Sequence, residues 1–257
     1  MSGNALLLGV DAAPPAGASQ YSLVFNGAGQ QYVTCGNVLS IVAHYAGGGA
    51  TSDDPVTIGV WLKSTQTTFA GLVGRGYISG AQARYGILIN DTANGSANGL
   101  YNDNSGTTEA SANANPNDGS WHLLVWVFGS NASGLANCLL YLDGVQIASV
   151  ACPGGFVGNE NTAGFWMGVF DPSGGNFAGW FTGKLAQPFV YWGILSATQI
   201  SNLAAGTLDP GTLGANLGAV WYFREGSGTT CADSSGNGND GTLTSGVSWS
   251  TDLPLVL

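Results

Sequence analysis

The densest run of potential metal ligands in the chain is Asp233-Ser234-Ser235-Gly236-Asn237-Gly238-Asn239-Asp240. Oxygen-bearing side chains fall at alternate positions, Asp233, Ser235, Asn237 and Asn239, and Asp240 closes the run. Hard cations such as Ca²⁺ take roughly six to eight oxygens, so these residues with neighbouring carbonyls form a candidate calcium loop. Two carboxylates is a low count for such a site. A glycine-rich turn held by Asx hydrogen bonds uses the same residue types, and that is the simpler expectation.

A second polar concentration spans residues 91–119. Tyr101, Asn102, Asp103 and Asn104, with Arg84 upstream, are the amide, hydroxyl, aromatic and cationic groups that hold glycans. The same residues favour Asx-turns. The stretch reads as a low-complexity loop in which Leu100-Tyr101 is a strand remnant. His44 and Asp53-Asp54 lie in a glycine-rich loop over residues 43–55, where a solvated loop is the plainer reading. Arg75 stands near a loop as either a sugar contact or a structural tether.

Hydrolysis of a glycosidic bond uses two carboxyl groups. The three glutamates, Glu109, Glu160 and Glu225, have no acidic partner two or four residues away. Neither His44 nor His122 has a Ser or Cys nucleophile motif around it. No catalytic residue is assigned, and a non-enzyme is expected. Four cysteines are present, Cys35, Cys138, Cys152 and Cys231, without the CxxC spacing of a zinc site.

Charged residues make up 8% of the chain, far below ordinary domains, while 42 glycines and eight tryptophans point to many short strands joined by turns. The net charge of −10 with five Lys and Arg argues against a phosphate-binding patch, so no nucleic-acid partner is expected. Leu6-Leu7-Leu8 is too short for a secretory h-region, and no run of membrane-spanning length occurs.

The elements that must position these groups centre on residues 117–149. Trp121–Phe128 is a strand-length aromatic and aliphatic run, apolar on both faces. One of those faces needs a cover: a loop, a helix or another subunit. Asp143-Gly144 is a two-residue turn of type I′ character between Cys138–Leu142 and Val145–Val150. Its register sets Leu142 against Val145, Tyr141 against Gln146, and Leu140 against Ile147. Cys138 then faces Ser149, and Cys152 has the opposite parity. A Cys138–Cys152 bridge does not fit that register, so four free thiols are expected, consistent with a reducing compartment.

The segment "DGSWHLLVWVF…LLYLDGVQIAS" resembles the concanavalin A-like, laminin-G-like jelly-roll family, in which a W-H-h-h-V strand leads into a Y-h-D-G-h hairpin. Tyr21–Thr34 resembles the family's opening strands, with Leu23 and Phe25 inward and Tyr32 and Val33 following. Val56–Lys63 resembles its F-T-I-x-x-W-h-K strand, with Val56, Ile58 and Val60 on one face and Trp61 on the other. Trp180–Lys184 and Phe189–Trp192 resemble a later strand pair, with Gln187 where many members carry an acid. ILSATQISNLAAG resembles the family helix, with Ser196 and Gln199 as a capping box and Gly206 as its stop. The segment from Ala219 to Trp249 resembles a further family signature and reads as closing strands of the same sandwich.

The resemblance implies an all-β jelly-roll sandwich of two antiparallel sheets over residues 20–257, with one short helix near 196–205. It implies that calcium and glycan binding are available chemistries, and that His122 is structural. Residues 1–19 read as an extended arm whose Leu6, Leu7, Leu8 and Val10 can bury apolar area on a partner. Two functions are expected to compete. One is a non-catalytic structural or decoration protein of a virus particle, with a lectin-like domain outward, the arm on other capsid or tail proteins, and a homo-oligomeric state. The other is a secreted or cell-surface carbohydrate-binding module, with or without calcium.

Overall fold

Alternating apolar residues, glycines and hydroxyls give the described residues sixteen strands, one α-helix and one short 3-10 turn. The computed structural model describes residues 19–27, 30–35, 55–75, 84–103, 106–131, 134–154, 164–170 and 179–255. The arm residues Leu6, Leu7, Leu8 and Val10, together with His44, Asp53, Asp54 and Asn104, lie outside them.

In chain order the strands begin with β1 Ser22–Asn26, β2 Val33–Thr34, β3 Val56–Lys63, β4 Ala70–Arg75 and β5 Arg84–Ile89. Next come β6 Ser96–Asp103, β7 Gly106–Asn113, β8 Trp121–Phe128, β9 Asn137–Leu142, β10 Val145–Ala151 and β11 Phe165–Met167. Then follow β12 Thr182–Trp192, helix α1 Ala197–Ala204, β13 Leu217–Val220, β14 Thr230–Cys231, β15 Gly241–Leu243 and β16 Ser248–Ser250. They form two eight-stranded antiparallel sheets. The first runs β10-β9-β8-β3-β12-β1-β16 with β13 also on β12, and the second runs β14-β15-β2-β11-β4-β5-β6-β7. Strands β13 to β16 are shared between the two sheets, which closes the sandwich around both halves of the chain.

Two cores follow from strand parity. Ile58, Val60, Leu124, Trp126 and Phe128 of the first sheet meet Tyr85, Ile87, Tyr101 and Phe165 of the second. Trp61, Leu123, Val125 and Val127 point the other way, onto Ile200, Leu203, Leu217 and Tyr222. This is why β8 is apolar on both faces: the chain's own helix and the segment after it cover the outer one. Helix α1 starts in the expected capping box, with Gln199 N donating to Ser196 Oγ and Ser196 N to Gln199 Oε1, and Gly206 follows it at φ 67°.

Packing overrides local preference in several places. Residues 96–113, expected as loop, form an eight-residue strand paired with another eight-residue strand. The small inward side chains there make room for large partners. A Cβ at Gly99 would lie 2.3 Å from the Trp126 ring. The two segments expected around residues 180–192 are one eleven-residue strand, bulged at buried Gln187, whose φ is 45°. Strand β11 ends at Met167, three residues short of the expected Phe170.

The β9–β10 hairpin corrects the cysteine expectation. Its turn and first two pairs are as the sequence implies, but a bulge between Gln146 and Ala148 puts Leu140 opposite Ala148, not Ile147. The extra residue reverses parity beyond it, so Cys138 faces Val150 and shares a face with Cys152. The two are disulfide-bonded, with Cα atoms 5.4 Å apart. Cys35 and Cys231 are buried free thiols. Burial pushes Cys35 well up and Cys231 up to about 12, so both are neutral.

Candidate functional site

The 233–240 loop is organised around one carboxylate. Asp233 Oδ1 accepts from the backbone N–H of Val220 and Ser235, and Oδ2 accepts from Ser235 Oγ and from both Asn239 N and Nδ2. Asn237 turns its amide N–H₂ to the carbonyls of Leu217 and Gly218. Asp240 Oδ1 accepts from Asp233 N. The structure therefore brings Asp233, Ser235 and Asn239 together as an Asx network and gives Asn237 and Asp240 to backbone groups. Among the described residues no cluster of three or more His, Cys, Asp and Glu is placed to hold a metal ion.

The candidate glycan set divides. Tyr101 is 2% exposed, stacked 6.0 Å from Phe128 in the sandwich core, so its ring is not a surface platform. That is a correction, and its cause is parity: the β6 residues facing inward are Ala97, Gly99 and Tyr101. Arg84 pairs with Asn102 across β5 and β6, and Asp103 follows at the strand end. Arg75 is 1% exposed, on the row between Phe165 and Tyr85, and is not a surface sugar contact. Spatial folding also gives Glu109 an acidic partner that spacing along the chain concealed. Asp91 hydrogen-bonds Glu109, Asn98 Nδ2 donates to Glu109 Oε1 at 2.7 Å, and burial raises both carboxyl groups above their ordinary values.

A surface that spacing along the chain does not disclose lies at one end of the sandwich. On the second sheet Met167, Val33 and Leu243 point inward, so the alternate row faces out. That row reads Thr230, Thr242, Thr34, Trp166, Gly74 and Gly86 on successive strands. Tyr32, expected to point inward, has the outward parity, since Val33 is the fully buried residue. Tyr32 lies 5.7 Å from Trp166 at 77° and 6.1 Å from Trp180 at 38°. All three rings are half-buried. They make a corner of aromatic faces beside a line of hydroxyls and two positions without side chains.

Two residues beyond Trp180 the chain enters β12 and the outer face of the first sheet. There one row holds Ser248, Val24, Lys184, Lys63 and Trp121. Lys63 Nζ and Lys184 Nζ both donate to Asp252 Oδ2, at 3.0 and 2.6 Å, and Trp121 Nε1 donates to Asp252 Oδ1 at 3.0 Å. Lys184 foremost, then Trp121 and Lys63, hold the Asp252 carboxyl far below the ordinary range. The lysines border an open cleft of about 380 Å³ lined by Val24, Phe25, Asn26, Thr65, Thr182 and Gly183 among others. Gln66 ties the two surfaces together: its Nε2 donates to Trp180 O and its Oε1 accepts from Thr182 N. The available signal was parity in Phe165-Trp166-Met167 and the presence of only two lysines in the chain, both at the cleft end of their strands.

Comparison with known proteins agrees with this architecture. A protein of Bacteroides ovatus assigned to carbohydrate binding superposes with a TM-score of 0.62 at 13% identity, covering 92% of this chain and 61% of its own. This chain therefore spans less than two thirds of that protein. The CBM40 of the Ruminococcus gnavus IT-sialidase gives 0.52 at 14% identity, covering 72% of this chain and 97% of its own. A heptameric pentraxin of Limulus polyphemus gives 0.51 at 14%, covering 73% and 83%. No curated protein matches the chain in sequence. Residues 19–201 match the family described as the Concanavalin A-like lectin/glucanases superfamily, and this chain is a member of that family.

Proposed function

We propose that this chain is a non-catalytic carbohydrate-binding domain whose sugar-binding surface is the corner formed by Tyr32, Trp166 and Trp180. The observation that carries the proposal is the meeting of three half-buried rings, at 5.7 and 6.1 Å, beside an outward row of threonines. A pyranose has an apolar C–H face and a polar rim. Aromatic faces bury the first, and fixed hydroxyls and backbone groups orient the second. Fold-level likeness to proteins assigned to carbohydrate binding supports the reading but does not carry it.

The arrangement of acids supports a binding rather than a hydrolytic role. Retaining and inverting glycosidases separate their carboxyl groups by about 5 Å or more. Asp91 and Glu109 are close enough to hydrogen-bond each other, closer than either geometry. The Cys138–Cys152 bridge supports an oxidising, extracellular setting. Arg84 at the start of β5, with Asn102 and Asp103 at the end of β6, is a candidate second contact for a longer glycan.

A glycan array followed by calorimetric titration tests the proposal, with Trp180→Ala and Trp166→Ala as variants. Loss of an aromatic platform is expected to weaken binding by about 1–3 kcal/mol, the scale of a lost stacking contact. Saccharide binding that neither variant alters overturns the site, and binding to no saccharide overturns the function.

A second reading is a structural or decoration role on a virus particle, in which the apolar arm seats the domain. Its support is compositional: 15 acidic and 5 basic residues leave only 20 formal charges in 257 residues. The outer face of β8 adds nothing to it, because the chain's own helix covers that face. Docking of the full chain, but not of one lacking residues 1–19, on purified particles tests it.

A further inference from the structure

The lysine cleft is the one place among the described residues where cationic side chains gather. Of the five basic residues, Arg75 is inside the sandwich and Arg224 lies over the Tyr222 ring at 4.4 Å. Both lysines of the chain are here, in direct register on neighbouring strands. Two ammonium groups share one carboxylate, which leaves the cluster with a net charge of +1 on a chain of −10. Each ammonium has three N–H donors, and one is engaged with Asp252. Their side chains are 34% and 28% exposed, so the remaining donors reach solvent at the cleft mouth.

We propose that this cleft takes the carboxylate of an acidic sugar unit, so that the rim prefers acidic to neutral saccharides. The inference rests on the carbohydrate-binding reading and extends it to a substrate class. The floor under the lysines is the apolar side chain of Val24, and Thr65 and Thr182 supply exposed hydroxyls at its edge. Trp180 and Thr182 are held by the same Gln66 amide, which fixes the aromatic corner against the Thr182 edge of the cleft, and Lys184 lies two residues further on, roughly 13 Å of extended chain from Trp180. An acidic unit can place its carboxylate against Lys63 and Lys184 while the rest of the oligosaccharide extends past Thr182 toward Trp180. The negative charge of the rest of the chain disfavours anions elsewhere, which confines the preference to this point.

The test is calorimetric titration of the full chain with two matched pairs, cellobiouronic acid against cellobiose and 3′-sialyllactose against lactose. The acidic member of at least one pair is expected to bind about fivefold tighter, the scale of an exposed charge pair. Lys184→Gln is expected to remove that difference. Asp252→Asn, which raises the cleft charge to +2, tightens the acidic sugar about fivefold further, a gain that misfolding cannot produce. Neutral sugars bound as well as acidic ones, with both variants silent, overturn the acidic preference and leave the lectin reading standing. No binding of any of the four by a chain that binds another saccharide on the array overturns the acidic preference alone, and binding to no saccharide at all overturns both.

Discussion

Lys63 and Lys184 stand opposite each other on neighbouring strands, and both ammonium groups close on the same oxygen, Asp252 Oδ2. The contact fastens the segment after the last strand across the outer face of the first sheet. Trp121 completes it from the other side through Asp252 Oδ1.

The clasp has a defined pH window. The Asp252 carboxyl lies far below its unfolded value in the folded protein, chiefly through Lys184. A depressed carboxyl contributes stability above the unfolded value of about 3.9 and loses it as pH falls toward the folded one. The group is solvent-exposed, so its worth is that of a surface ion pair, about 0.5–1 kcal/mol. Urea denaturation at pH 7 is expected to show Asp252→Asn less stable by that amount, with the gap closing as the pH drops below about 3. A gap that persists there would point to lost packing instead.

His122 works in the opposite sense. Its Nδ1 meets Asp143 Oδ2 at 2.7 Å and its Nε2 meets Asp118 Oδ1 at 3.1 Å, and Asp143 first, then Asp118, raise the imidazolium above its ordinary range. A raised histidine contributes stability that is full below about pH 6.5 and is lost as pH rises through the higher folded value. The wild type is therefore expected to be more stable at pH 5.5 than at pH 8.5 by up to about 1 kcal/mol. His122→Gln loses that difference in paired thermal melts at the two pH values.

The Cys138–Cys152 bridge closes a loop with a sequence separation of 14 residues. Chain-entropy arguments put such a crosslink at about 3 kcal/mol. Cys138→Ala with Cys152→Ala is expected to lower denaturant stability by about that amount. Thiol titration of the unfolded, unreduced wild type should find two reactive groups, Cys35 and Cys231. Four reactive groups would refute the pairing.

Asp233 is the hub of the 233–240 loop, taking five donors. Asp233→Ala strands buried N–H groups, including those of fully buried Asn239, and is expected to cost about 1–3 kcal/mol. Because those oxygens are already satisfied, millimolar Ca²⁺ or chelator should leave the wild-type melting temperature unchanged. A calcium-dependent rise of several degrees would establish a cation site here.

The sequence by itself determined the elements whose signals are local. The capping box at Ser196 and Gln199, the Asp143-Gly144 turn, and the parity of Val56, Ile58 and Val60 against Trp61 are set by neighbouring residues, and the structure keeps each. The two-sided apolarity of β8 also announced a covered face, although not what covers it. Tertiary structure decided the rest. Residues 96–113 carry weak strand preference, and they pair because Gly99 leaves room for Trp126 and Tyr101 stacks on Phe128 of the facing sheet. One bulge after Gln146 reversed a face and paired two cysteines. The candidate site is the clearest case. Tyr32, Trp166 and Trp180, like Lys63, Lys184 and Asp252, are far apart in sequence and meet only through sheet order. A spacing rule along one chain has no access to contacts that hydrogen-bonded registers between distant strands create.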